Sequence, residues 1–118
     1  MWGIGANKSS VRACADACRA HRPGAVPGPF TDLPCNAFAF CAAERCFEPD
    51  AHLHRRGDCW LKWTEAPGAP EVNMRGDLPP EYRARHPSAP ARVQWHGGVL
   101  LPPGAEMTNG TWSPRWSW

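Results

Sequence analysis

Six cysteines carry most of the chemistry available to this 118-residue sequence, and all of them lie between Cys14 and Cys59. Two chemistries suit them. Zinc takes four thiolate or imidazole ligands in tight pairs. Cys14 with Cys18 and Cys41 with Cys46, followed by His52 and His54, allow such a site to be drawn. The two-residue knuckles usual for zinc are missing, however, and the six cysteines do not reduce to a set of four. Irregular spacing in a chain with a thin core points instead to disulfides and an oxidising compartment. Large aliphatic residues are scarce and much of the 42% hydrophobic content is alanine, while 14 Pro and 11 Gly favour loops. Small domains with so little core usually need covalent staples.

The elements that position these cysteines can be read from periodicity. Val11, Cys14, Ala15 and Cys18 fall at i, i+3, i+4 and i+7, which predicts a helix over residues 11–20 with Ser9 or Ser10 as N-cap. Cys14 and Cys18 then sit one turn apart on one face. Six cysteines allow many connectivities. A Cys14–Cys18 bridge would close almost no loop. Pairing Cys14 with Cys59 and Cys18 with Cys35 would tie the helix to two strands and leave Cys41–Cys46 to close a small local loop. In the chain-entropy model these bridges contribute roughly 4, 3 and 2 kcal/mol. Their sum rivals the net stability of a typical domain, so reduction is expected to unfold the chain.

Residues 1–8 read as an irregular lead-in. Residues 9–101 read as one domain, interrupted by a Pro-rich insertion at 65–92, and residues 102–118 as a Trp-rich tail without periodicity. Pro23, Gly24, Pro27, Gly28 and Pro29 force a loop to about Leu33. In Cys35–Cys41 alternation puts Phe38 and Phe40 on one face, and Cys35, Ala37, Ala39 and Cys41 on the other. Residues 42–57 read as loop. Residues 59–63 form a second strand, with Cys59, Leu61 and Trp63 on one face and Trp60 and Lys62 on the other. One helical turn is expected near Pro80–Arg85. A third strand is expected at Arg92–His96, continued after Gly97-Gly98 by Val99-Leu100.

The helical Cys14-Ala-Asp-Ala-Cys18-Arg19-Ala20, the segment Cys35-Asn-Ala-Phe-Ala-Phe40 and the segment Gly57-Asp-Cys59-Trp60-Leu61-Lys62 together resemble the PAN/apple domain family. In that family a helix with two cysteines one turn apart precedes a Cys-x-x-Phe-x-Tyr/Phe strand and then a Cys-Trp/Phe-Leu-Lys strand. Val93–Leu100 looks like its closing strand. The resemblance spans about residues 9 to 100. It implies an α+β fold in which a curved antiparallel sheet cradles one helix, with the same two helix-to-sheet disulfides. The extra Cys41–Cys46 pair and the Pro-rich insertion are similar to PAN-like domains of green-algal secreted and surface proteins. A first strand before the helix is short or missing in residues 1–8, and the outer Cys pair of full apple domains is absent, which favours the plainer PAN form. The family implies binding of protein or carbohydrate without catalysis.

The remaining residues support no catalytic constellation. Six paired cysteines leave no thiol for a Cys–His nucleophile. Ser88, Ser113 and Ser117 lack the strand–turn–helix setting of a nucleophile elbow. Glu48, Asp50 and Asp58 read as a solvated acidic cluster, and His52 and His54 beside Arg55-Arg56 as a solvated loop rather than a metal or anionic-sugar site. Seven Trp is a high count. Trp60, Trp63 and Trp95 lie on strands, where at least Trp60 or Trp95 is expected to fill core. Trp112, Trp116 and Trp118 lie in the tail and need a partner surface, such as a neighbouring subunit. Asn7-Lys8-Ser9 and Asn109-Gly110-Thr111 are glycosylation sequons.

The net charge of +2 comes from scattered basic residues, without the single basic stripe that marks nucleic-acid binders. No apolar run approaches the ~18 residues of a membrane span. Met1–Gly5 is too short and Gly-rich for a signal peptide, so the signal is expected to have been removed, or the chain to be a fragment, or Met1 not to be the natural start. The function expected is a non-catalytic, extracellular or cell-surface binding and adhesion module, needing no metal or cofactor, that contacts protein or carbohydrate. The alternatives are a structural subunit of an extracellular assembly or filament, and a zinc-binding intracellular module.

Overall fold

Ser10 opens the longer helix: its backbone is extended and its Oγ accepts the Ala13 N–H at 3.0 Å, satisfying one of the free donors of the first turn. The helix, α1, runs Val11–Ala20 in a computed structural model that describes residues 3–69 and 76–107. Cys14 and Cys18 are its buried residues. The buried stripe is narrower than the periodicity suggests, because Val11 stays 39% exposed while Ala17 packs inward.

The helix lies on a four-stranded antiparallel sheet ordered β1-β5-β2-β6. The strands are β1 (Gly3–Asn7), β2 (Ala37–Cys41), β5 (Asp58–Lys62) and β6 (Trp95–Val99). A small ribbon pairs β3 (Arg45–Cys46) with β4 (His54–Arg55). A second helix, α2 (Pro80–Arg85), lies in the Pro-rich insertion with a Pro in its first turn, where a missing N–H costs nothing.

The register explains which side chains meet α1. Ile4, Leu61, Phe38 and Gly98 form one cross-strand row, and Ala6, Cys59, Phe40 and His96 another. Cys14, Cys18, Phe40, Cys59 and Leu61 make the central core, with Ile4, Phe38 and Leu100 against it. Gly98 leaves room for Phe38, whose ring would come within 2.6 Å of a Cβ placed there. The opposite rows, Gly5–Trp60–Ala39–Gly97 among them, face away from α1.

Residues 1–8, irregular by composition, are corrected by β1, which pairs along its whole length with β5. Its pattern was hidden because two of its five residues are Gly, so strand formation there comes from pairing and not from propensity. The loop expected over residues 42–57 contains the β3–β4 ribbon. β6 continues through Gly97-Gly98 instead of resuming after them.

All three disulfides join the expected partners: Cys14–Cys59, Cys18–Cys35 and Cys41–Cys46. Asn36, just before β2, ties three strands. Its N–H donates to the Lys62 carbonyl and its own carbonyl accepts from Leu100. Its side-chain amide pairs reciprocally with Thr64, 2.9 Å in each direction. The insertion closes on itself, since Leu78 N–H donates to Ala91 O and Val93 N–H to Gly76 O. Leu78, Tyr82 and Ala89 then form a second small core with Phe47 and Val93.

Two outcomes follow from this packing. Removing Cys14–Cys59, whose partners are 45 residues apart, by Cys14→Ala with Cys59→Ala should cost roughly 4 kcal/mol in urea unfolding, and removing Cys41–Cys46, 5 residues apart, roughly 2. Equal losses would contradict the loop-closure account. Asn36→Ala should lower stability by about 1–3 kcal/mol, because it strands the buried backbone groups of Thr64.

Candidate functional site

On the sheet face away from α1, the side chains organise around a buried imidazole. β4 pairs with β3 so that His54 lies opposite Cys46 on the covered side of the ribbon, and Arg55 lies opposite Arg45 on the solvent side. His54 is only 5% exposed. Its ring stands edge-on to Trp95 (5.3 Å between centroids) and to Trp60 (6.2 Å). The favourable geometry for such rings is this edge-to-face approach. Gly5 on the edge strand leaves space for the Trp60 indole, which lies 3.3 Å from where a Cβ would stand.

Both ring nitrogens of His54 face carboxylates. Nε2 is 2.9 Å from Asp50 Oδ2 and Nδ1 is 3.5 Å from Asp58 Oδ2. Asp58 also accepts the Arg55 N–H, and Asp50 accepts the His52 N–H. Burial raises the Asp50 pKa, but the hydrogen bonds from His54 and the His52 backbone, with the attraction of both imidazoles, bring it below its ordinary value of 3.8. The arrangement clasps the imidazole between two carboxylates, each four residues away along the chain.

Phe47 connects this face to α2. Its N–H donates to Gln94 Oε1 at 2.8 Å and its carbonyl accepts the Trp95 indole N–H at 3.0 Å. Its ring meets Tyr82 edge-on at 6.3 Å and lies 6.0 Å from His86. Between the ribbon and the insertion an open cleft of about 610 Å³ is lined by Arg45, Asp50, His52, His86, Ser88 and Gln94, among others. That volume lies within the ~300–1,000 Å³ common for small-molecule sites.

The sequence-read candidates separate in space. Trp60 and Trp95 come together around His54, half-buried on the outer face. Trp63 follows β5 and lines a narrow crevice with Gly3, His21 and Leu33. Asn7 ends β1 and is exposed. Asn109, Trp112, Trp116 and Trp118 lie outside the described residues. His54 is corrected from solvated loop to buried clasp, because β4 pairs with β3 and the Trp60 and Trp95 rings pack against its imidazole. All six cysteines are bridged, so no thiolate is available to zinc or to nucleophilic chemistry. Among the described residues no three His, Cys, Asp or Glu side chains converge as metal ligands, and no helix is long and apolar enough to cross a membrane. Ser88 on the cleft makes no hydrogen bond to a His among the described residues. Sequence reading missed the Arg45–Arg55 juxtaposition and the Phe47–Tyr82 contact; only the Arg55-Arg56 pair was visible in it.

No family model, curated protein or solved structure matches the chain.

The Asp50 clasp has a pH signature. A carboxyl with a lowered folded-state pKa contributes stability above the ordinary carboxylate range and loses it as pH falls through the lowered value. Asp50→Asn should therefore be less stable than the wild type at about pH 6, and its urea midpoint should fall less steeply between about pH 5 and pH 2. Parallel acid profiles would show that the His54 contact contributes nothing.

Proposed function

We propose that this chain is a PAN/apple-like, non-catalytic extracellular module that binds protein or carbohydrate within a surface or matrix structure. The observation that carries the reading is the helix-to-sheet pair of disulfides, Cys14–Cys59 and Cys18–Cys35, on an antiparallel sheet whose other face presents aromatic side chains beside an open cleft. A domain whose folding rests on disulfides suits an oxidising compartment. The non-catalytic reading is supported by the bridging of all six cysteines, which leaves no thiolate nucleophile. Trp60 and Trp95, each with an apolar body that is partly exposed, suit contact with a sugar ring or a protein surface.

A glycan array probed with the oxidised chain tests the reading. Saturable binding is expected, lost after reduction, with the bound glycans recovered uncut by mass spectrometry. Cleaved glycans, or signal unchanged by reduction, would count against it.

A further inference from the structure

The β3–β4 ribbon carries a charge arrangement that costs the free protein energy. Arg45 and Arg55 are directly opposed across the ribbon, and both are exposed. Opposed side chains on such a pair have Cβ atoms about 4.5–5.5 Å apart, and like charges there repel. Neither guanidinium has an ion pair or hydrogen bond among the described residues. Neither adjacent carboxylate neutralises them. Glu44 pairs with neither Arg side chain, and Asp58 takes the Arg55 backbone N–H while facing His54. Arg56 follows in the turn and is exposed, its Nε donating to Ala42 O at 3.2 Å.

The ribbon is also held in place. The Cys41–Cys46 bridge anchors β3, Gly57 N–H donates to Cys41 O, and Arg56 N–H donates to Glu44 O. His54 is clasped beneath it. A rigid site loses little side-chain and loop entropy on binding. Two guanidiniums carried side by side on this held ribbon present paired donors that match sulfate or carboxylate oxygens.

We propose that Arg45, Arg55 and Arg56 form a binding site for an anionic polysaccharide, one whose sulfate or carboxylate groups bridge the two opposed guanidiniums. The adjoining cleft continues from Arg45 to Ser88, Gln94 and Asp50, which supply donors and acceptors for sugar hydroxyls. An anion between Arg45 and Arg55 removes their repulsion, so affinity gains from a cost already present in the unbound protein. A polysaccharide is favoured over a nucleic acid or acidic protein because the patch is small, joins a hydroxyl-compatible cleft, and belongs to a disulfide-bonded module. This inference rests on the proposed extracellular binding role and names its ligand class.

The test uses the full oxidised chain on immobilised dextran sulfate, polygalacturonate, uncharged dextran, poly-glutamate and duplex DNA. Dextran sulfate, polygalacturonate or both should bind, weakening steeply with added salt, while dextran should not. Arg45→Gln with Arg55→Gln should weaken that binding at least tenfold. The charge-matched control Arg83→Gln with Arg85→Gln on α2 should change it less than twofold. Circular dichroism and the absence of free thiols verify the fold of each variant. Equal losses in the two double variants would overturn the proposal, as would tighter binding to poly-glutamate or DNA than to either polysaccharide. No binding to the anionic polysaccharides, with neutral glycans bound on the array, would overturn this inference alone. No glycan bound in either experiment would overturn the broader reading as well.

Discussion

Two disulfides between α1 and its surroundings hold this fold together, and the other contacts are arranged around them. Three of the five central buried residues are the cysteines Cys14, Cys18 and Cys59, leaving only Phe40 and Leu61 as large apolar side chains there. So small a core cannot by itself offset the conformational entropy of ordering a chain with this many loops. Covalent closure acts on the other side of the balance by reducing the freedom of the unfolded chain. It also fixes registry: with Cys14 tied to β5 and Cys18 tied just ahead of β2, the helix cannot rotate or slide on the sheet. Exposed pairs such as Arg19 with Asp16 add little to this.

The third bridge works locally and decides what the outer face looks like. It closes a five-residue separation between Cys41 and Cys46 and so ties β3, which pairs with β4, to the end of β2. That ribbon then places His54 inward and Arg45 and Arg55 outward. Phe47, the next residue, satisfies its backbone through Gln94 and Trp95 and lends its ring to Tyr82. Phe47, whose backbone groups are both paired as a partly buried segment requires, thus joins Val93 in attaching the insertion to the sheet. Structure and charge display are coupled here: the side of the ribbon that packs is filled by Cys46 and His54, so the arginines must face solvent.

Much of the framework was legible in the sequence. The helix, the β2 and β5 strands, their inner and outer faces and the three pairings followed from period and from the reach of cysteines one turn apart. β1 was not legible, because Gly3 and Gly5 carry no side-chain pattern and the strand forms by pairing with β5. The site was less legible than the fold. Trp60 and Trp95 were identifiable as candidates, but nothing in their spacing placed them around one imidazole. His54 read as solvated because it is flanked by His52, Arg55 and Arg56, and local polarity does not reveal that a ribbon will cover it.

The sequence by itself determined which residues would be bridged, which strand faces would be apolar and where the chain would turn, since these depend on local period and on short-range reach. The tertiary structure alone decided that residues 3–7 form an edge strand, that His54 lies buried between Asp50 and Asp58, and that Arg45 stands opposite Arg55. The edge strand and the Arg45–Arg55 pair are meetings set by strand register, which depends on the whole sheet and its staples. The carboxylates of His54 are only four residues away on either side, but its burial depends on the packing of Trp60 and Trp95 from other strands.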